Sequence, residues 1–237
     1  TSHWVDLVKR AVDLGVTVFD TSESYKWGRS EAILGEALGN RDDVIIATKM
    51  ARSRNSGREP GAQDFSAARM MQTVEGSLKR LQRDCIDIYQ LHSPDREAME
   101  RCDWAEGMAT LKEQGKIRLS AVAVNSAADG IWLIEQGLVE VLQITYNIFD
   151  TEAERRLFAL AEQHGVGLLG RKPLARGVLT GKFKPGEEVA EGHRAHLDGD
   201  QMYTNIERAE DLRALGEMHP GGMTHLALQF ALTPRAI

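Results

Sequence analysis

The feature that most constrains this chain is a repeat of two alternating periods. A stretch with apolar residues at helical spacing gives way to a short apolar run and then to a polar residue, over and over. Helical periodicity alternating with short β-branched runs is the pattern of βα units built around a parallel sheet. Residues 1–14 read as a helix, with Val5, Val8 and Val12 on one stripe and Gly15 as its stop, and "VTVF" follows as a strand. The pairing continues with "SEAILGEALGN" before "VIIAT", "AARMMQTVEGSLKRLQ" before "CIDIYQL" and "WAEGMATLKEQGK" before "LSAVAV". "ADGIWLIEQG" then precedes "VEVLQIT", and "TEAERRLFALAEQHG" precedes "VGLLG". The last third carries two helical segments, "IERAEDLRALGEM" and "MTHLALQFAL". Several of the short runs are apolar at nearly every position, as strands covered on both faces are.

Strands flanked by helices in this way suit either a doubly wound open sheet or most of an eight-stranded (β/α)8 TIM barrel. The strand exits separate the two. Asp20, Lys49, His92, Asn125, Tyr146 and Arg171 stand at the successive exits, so polar groups are expected from many strand ends at one rim. A barrel gathers its site in that way, whereas an open sheet concentrates it at one switch point. The expectation is one α/β barrel domain over residues 1–237, both catalytic and cofactor-binding, with its first and last strands not seen. The chain opens on a helix and closes on "LALQFALTPRAI".

Charge bears on what such a domain binds. With 29 basic and 35 acidic residues the net charge is −6, and the basic residues are scattered. A broad nucleic-acid or anionic-membrane surface is therefore not indicated, and a small-molecule partner is expected. No apolar run approaches the roughly 20 residues of a membrane span. The charged first helix does not read as a signal peptide, and no targeting segment is expected at either end. Cys85 and Cys102 form no CxxC and have no basic neighbourhood in sequence, so both are read as structural, and a cytoplasmic setting is expected. Oligomeric state has no signal in the sequence.

Two motif-like patterns are set aside. Gly165, Gly167 and Gly170 spell G-x-G-x-x-G, but they close a helix and fill a strand, and Pro173 forbids a helix from starting at the last glycine. His193 and His196 are three apart with no third metal ligand in view, and their polar, glycine-bearing surroundings read as a solvated loop.

The first three strand exits are more telling. Asp20 and Lys49 leave adjacent strands and can neutralise each other, which by itself is only a structural pair. It leaves unexplained Tyr25, five residues beyond Asp20, and His92 at the end of "IYQL". A phenol has a reference pKa of about 10, and a neighbouring ammonium favours its ionised form. Tyr25 tuned by Lys49 could give a proton to an oxyanion developing on a carbonyl, with His92 orienting that oxygen and Asp20 holding Lys49.

The ordered motifs "DTSESY", "GRSE", "LGEAL", "IIATK", "LHSPD", "QITYN" and "PLARGVLTGKF" resemble those of the aldo-keto reductases over nearly the whole chain. The resemblance implies a (β/α)8 barrel and an NAD(P)H-dependent oxidoreductase that reduces an aldehyde or ketone. It implies NADP(H) as cofactor, with NAD(H) as the alternative. It assigns the catalytic tetrad to Asp20, Tyr25, Lys49 and His92, with Tyr25 as general acid. It makes Tyr146 the aromatic that stacks on the nicotinamide, and Asn125 and Gln143 its carboxamide contacts. Lys172 to Lys182 becomes the loop over the cofactor pyrophosphate, with Pro173, Leu174, Arg176, Gly177, Leu179 and Gly181 in it. Charge gives that loop independent sense, because Arg171, Lys172, Arg176, Lys182 and Lys184 cluster after a strand where barrels commonly bind phosphate. The chain departs from the family pattern at Lys26 and Trp27, where glycine usually follows the tyrosine at once, and at Ala123, where a serine is common. Arg52, Arg54 and Arg58 are candidates for meeting an anionic substrate. Two other readings stand beside the reductase: a non-redox barrel lyase, isomerase or metal hydrolase using Lys49, Tyr25 and His92 as acid and base, and a cofactor-binding regulatory subunit with weak turnover.

Overall fold

The structure, a computed structural model, describes residues 2–51 and 63–237. Ladder register decides where its strands end. β1 (Val18–Asp20) pairs in parallel with β2 (Ile45–Met50), which sets Asp20 opposite Ala47. β2 pairs in parallel with β3 (Ile86–His92), Lys49 facing Gln90, and β3 pairs with β4 (Ile117–Ala123), His92 facing Ala123. β5 (Val141–Thr145) and β6 (Gly167–Arg171) complete a sheet ordered β1-β2-β3-β4-β5-β6. Strands in chain order are the arrangement of a barrel; a doubly wound sheet reverses its order at a switch point. The strands are those read from the sequence, but Asp20, Lys49, His92 and Arg171 prove to be strand residues rather than the residues after strands. Pairing with a neighbour carries the backbone past the apolar run.

A helix leads into each strand. α1 (Ser2–Asp13) precedes β1, α2 (Arg29–Leu38) precedes β2 and α3 (Ala67–Leu81) precedes β3. α4 (Arg96–Arg101) and α5 (Trp104–Glu113) lie before β4, α6 (Ala127–Glu135) before β5 and α7 (Leu157–His164) before β6. α8 (Gln201–Asp211), α9 (Arg213–Met218) and α10 (Gly222–Ala231) close the chain. The short α4 was not apparent in the sequence. Its start is explained by Asp95, whose carboxylate accepts from the Ala98 N–H at 2.7 Å. Gly165 ends α7 in the left-handed conformation, while Gly167 and Gly170 lie within β6, so no helix opens on the glycine pattern.

Contacts group the chain into two compact units, one of Thr1–Asn125 with Trp132–Leu142 and one of Ser126–Ile131 with Gln143–Ile237. The first unit buries Ile46, Met50, Met70, Val74, Leu81, Ile86, Leu91 and Leu111. Its buried charges are paired, as low dielectric demands: fully buried Glu31 accepts from Thr48 Oγ1 and from Arg80 Nε, each at 2.7 Å, and Asp87 holds Arg83 at 2.8 Å. The second unit has its own apolar cluster, centred on Val178, Leu179, Ala195, Met202, Ile206 and Ala227.

Candidate active site

The site in the first unit begins with a buried cation. Lys49 lies on β2 at 1% exposure, and its Nζ donates to Asp20 Oδ2 at 2.5 Å and to the Thr21 carbonyl at 2.8 Å. An ammonium removed from water in this way requires a close anion, and Asp20, at the end of the adjacent strand, is that anion. The Asp20 side chain is 35% exposed, so the ion pair sits at the edge of the fold rather than deep within it.

Beyond Asp20 the chain turns. The Tyr25 N–H bonds the Ser22 carbonyl at 3.0 Å, closing a turn that brings the phenol back over β2. The Lys49 ammonium is 5.4 Å from the centre of the Tyr25 ring, and the Tyr25 and His92 rings meet edge to face with centres 5.7 Å apart. Asp20, Tyr25, Lys49 and His92 are thus brought together. Tyr25 is 39% exposed, so a phenol within reach of solvent lies beside a cation shut away from it.

Two further residues belong to this cluster that the sequence reading did not single out. Ser22, fully buried, sets its Oγ 3.1 Å from His92 Nδ1 and 3.3 Å from the Lys49 carbonyl. Gln90, also fully buried, donates from Nε2 to Asp20 Oδ1 at 2.9 Å, so both Asp20 oxygens are held. A glutamine inside the apolar run "IDIYQLH" was the available signal for the second. For Ser22 there was none, because a serine in a turn is ordinary.

Asn125 is exposed, and its Nδ2 reaches the Pro94 carbonyl at 3.5 Å. Arg52, Arg54 and Arg58 lie outside the described residues. Burial raises the pKa of the Cys85 thiol, which disfavours a thiolate there.

In the second unit, Gln143 and Tyr146 are buried. Tyr146 packs edge-on against Phe158, stacks on Phe230 with ring centres 5.5 Å apart, and donates its hydroxyl to Glu154. Burial and that carboxylate hold its phenol well above the usual range. A nicotinamide could take the stacked face only if Phe230 left it.

The loop after β6 is unusual in its backbone. Lys172, Ala175 and Arg176 all have positive φ (57°, 44° and 54°), as does Gly177 at 98°. Side chains rarely accept that conformation, and such strain clusters at ligand-binding segments. Leu179 is fully buried and Leu174 partly so; these anchor the loop in the core. Of Lys172, Arg176 and Lys182, only Lys182 is exposed; the other two are partly buried. Arg176 Nε stands 2.7 Å from Asp198 Oδ1, but its N–H is not aligned on that oxygen. Lys182 Nζ is 2.9 Å from His193 Nε2. His193 caps a short 3-10 turn (Arg194–Asp198) that contains His196, whose Nε2 approaches the Val189 and Ala190 carbonyls. Burial, then Arg176 and Arg171, pull the Lys172 pKa down, while Asp198 and Asp150 act the other way. A strained backbone with clustered cations suits an anionic group such as a pyrophosphate.

The family model of the Aldo/keto reductase family matches residues 1–237. The chain belongs to the aldo/keto reductase family. Family membership makes it an oxidoreductase of a class that typically uses nicotinamide cofactors and acts on small-molecule carbonyl compounds. It is 31% identical over 239 residues to the uncharacterized oxidoreductase YqkF of Bacillus subtilis (strain 168), covering 98% of this chain and 75% of that one. It is 30% identical to a probable voltage-gated potassium channel subunit beta of Oryza sativa subsp. japonica, over 90% of this chain and 67% of the relative. Among solved structures, the holo form of aldo-keto reductase AKR11C1 from Bacillus halodurans superposes with a TM-score of 0.79 at 28% identity, over 98% of this chain and 74% of that chain. Among the described residues, no helix is long and apolar enough to cross a membrane.

Proposed function

We propose that this chain reduces an aldehyde or ketone to the alcohol, with Tyr25 as the general acid. The observation that carries the reading is the packing of Tyr25 and His92 beside a Lys49 ammonium that Asp20 pairs. When bound, a reduced nicotinamide supplies the hydride to the carbonyl carbon. Tyr25 gives its proton to the carbonyl oxygen as charge develops there, and His92 donates a hydrogen bond to the same oxygen. Lys49 favours the phenolate left behind, and Asp20 keeps Lys49 aimed at it. Residues 172–182 would hold the pyrophosphate through Lys172, Arg176, Lys182 and backbone N–H groups. We take NADP(H) as the cofactor, with NAD(H) as the alternative. The six-stranded sheet is read as part of a (β/α)8 barrel. The free Cys85 and Cys102 suit a reducing cytoplasm.

NADPH and NADH oxidation followed by absorbance against a panel of aldehydes and ketones tests the activity. Tyr25→Phe keeps the ring but removes the proton, so cofactor affinity should survive while kcat falls by roughly 10² to 10⁴, the usual contribution of a general acid. A phenylalanine variant that turns over at the parent rate would sink the mechanism. The likeness to a channel β subunit favours one other reading, a regulatory subunit that binds cofactor with weak turnover. Tight cofactor binding with no oxidation on any carbonyl would favour that reading instead.

A further inference from the structure

Ser22 touches more of the Tyr25 cluster than any catalytic role requires. Its carbonyl accepts the Tyr25 N–H at 3.0 Å, and its hydroxyl lies 3.1 Å from His92 Nδ1, 3.3 Å from the Lys49 carbonyl and 3.0 Å from Ser24 Oγ. The Ser24 N–H also donates to Ser22 Oγ, at 3.3 Å. A serine hydroxyl has one proton to give and two lone pairs to receive with. The Lys49 carbonyl has a second donor in the Glu23 N–H at 3.4 Å, and the exposed Ser24 hydroxyl can itself donate to Ser22. Of the two acceptors open to the Ser22 proton besides Ser24, the His92 nitrogen and the Lys49 carbonyl, the nitrogen is the nearer, at 3.1 Å against 3.3 Å.

The direction of that bond has a chemical consequence. A neutral imidazole carries one N–H, and the bond made at one nitrogen fixes which nitrogen keeps it. A carbonyl oxygen can only accept, so a histidine that orients it must present an N–H. We propose that Ser22 is a positioning residue for His92: its hydroxyl donates to Nδ1 and holds the neutral ring in the tautomer protonated on Nε2, the form that can donate to a substrate carbonyl. The proposal rests on the reductase reading of the cluster and names the residue that keeps its histidine in working form. The same residue, whose carbonyl accepts the Tyr25 N–H, couples the position of the imidazole to the turn that carries the phenol.

Long-range ¹H–¹⁵N correlation spectra of ¹⁵N-histidine protein, at a pH about two units above the reference imidazole pKa of 6.5, read the tautomer directly. The His92 signal is identified by its loss in His92→Gln. The wild type should show Nε2–H. Ser22→Ala, which removes a single buried oxygen, should move His92 toward Nδ1–H and lower kcat about two- to ten-fold, the worth of one neutral hydrogen bond, with cofactor affinity unchanged. Ser22→Thr, which keeps the hydroxyl, should restore both the tautomer and the rate. An Nδ1–H ring in the wild type, or an unaltered tautomer in Ser22→Ala, would overturn the proposal. Because the tautomer is read without turnover, such a result is distinct from failure of the reductase reading itself, which full activity of Tyr25→Phe would reveal.

Discussion

A buried side-chain carbonyl with no donor costs free energy, and Gln90 Oε1 is such a group among the described residues. Its amide cannot simply be turned over, because the oxygen would then face the Asp20 carboxylate that Nε2 now bonds at 2.9 Å. Gln90 therefore holds Asp20 at the expense of stability. Gln90→Leu should separate the two effects. Removing the unpaired oxygen should leave stability unchanged or raise it by about 1 kcal/mol, while the loss of the Oδ1 donor loosens Asp20 and lowers kcat several-fold. Urea unfolding together with steady-state kinetics checks this; a variant that loses stability and keeps full kcat would reject it. The clustering of Asp20, Lys49 and His92 was legible in the sequence because each is a titratable group at the end of a strand, and that of Tyr25 because it is a lone phenol in the polar loop beyond Asp20. Ser22 and Gln90 could not be assigned, because their roles depend on a turn hydrogen bond and on the register that sets Lys49 opposite Gln90. Tyr146 shows the opposite difficulty: the pattern placed an aromatic after a strand, but Phe158, Phe230 and Glu154 settle what its ring and hydroxyl touch.

At the level of elements, the pairing of α2 with α3 supports the turn that carries Tyr25. Gly35 on α2 lies so close to α3 that a Cβ there would stand 2.2 Å from the Arg80 carbonyl oxygen and 2.8 Å from the Leu81 carbonyl carbon. Both are backbone atoms, which cannot move aside as a side-chain end can. The same helix starts at Gly28 after Lys26 and Trp27, all with positive φ (81°, 50° and 59°), so the departure from the family's glycine is borne by two side-chain residues in a strained conformation. Trp27, at 96% exposure, has little packing to offset that strain. Gly35→Ala should push α2 from α3, costing about 1–3 kcal/mol of stability as overpacking does, and disturb Glu31, which Arg80 pairs across the same contact. A melting temperature equal to the parent's would show that the helices can part freely. The helices and strands themselves were visible as alternating periods, since burial dictates those periods. This contact was not, because a glycine inside a helical pattern does not say which neighbour it admits.

Charge is a property of the whole molecule, and here it opposes the ligand proposed for the loop after β6. The chain carries a net −6, so its long-range field repels a dinucleotide, and affinity must come from cations at contact distance. Lys172, with its pKa pulled down by burial and by Arg176 and Arg171, lies where an added anion would relieve like-charge repulsion. Arg176 Nε lies near Asp198 without alignment on its oxygen, and Lys182 is exposed beside His193, so both have donors to offer an anion. Substituting Arg176 and Lys182 together by alanine should therefore weaken NADPH binding several-fold or more, while the tetrad in the first unit keeps its geometry. Added salt screens the long-range repulsion in both proteins alike, so the informative quantity is the difference between them: affinity in the double variant should be the less sensitive to loss on adding salt, because it has fewer contact pairs to be screened. Calorimetric titrations at two salt concentrations measure both effects. Unchanged affinity in the double variant, with an unchanged salt response, would remove residues 172–182 from cofactor binding and leave their clustered positive charge to be explained by another anion.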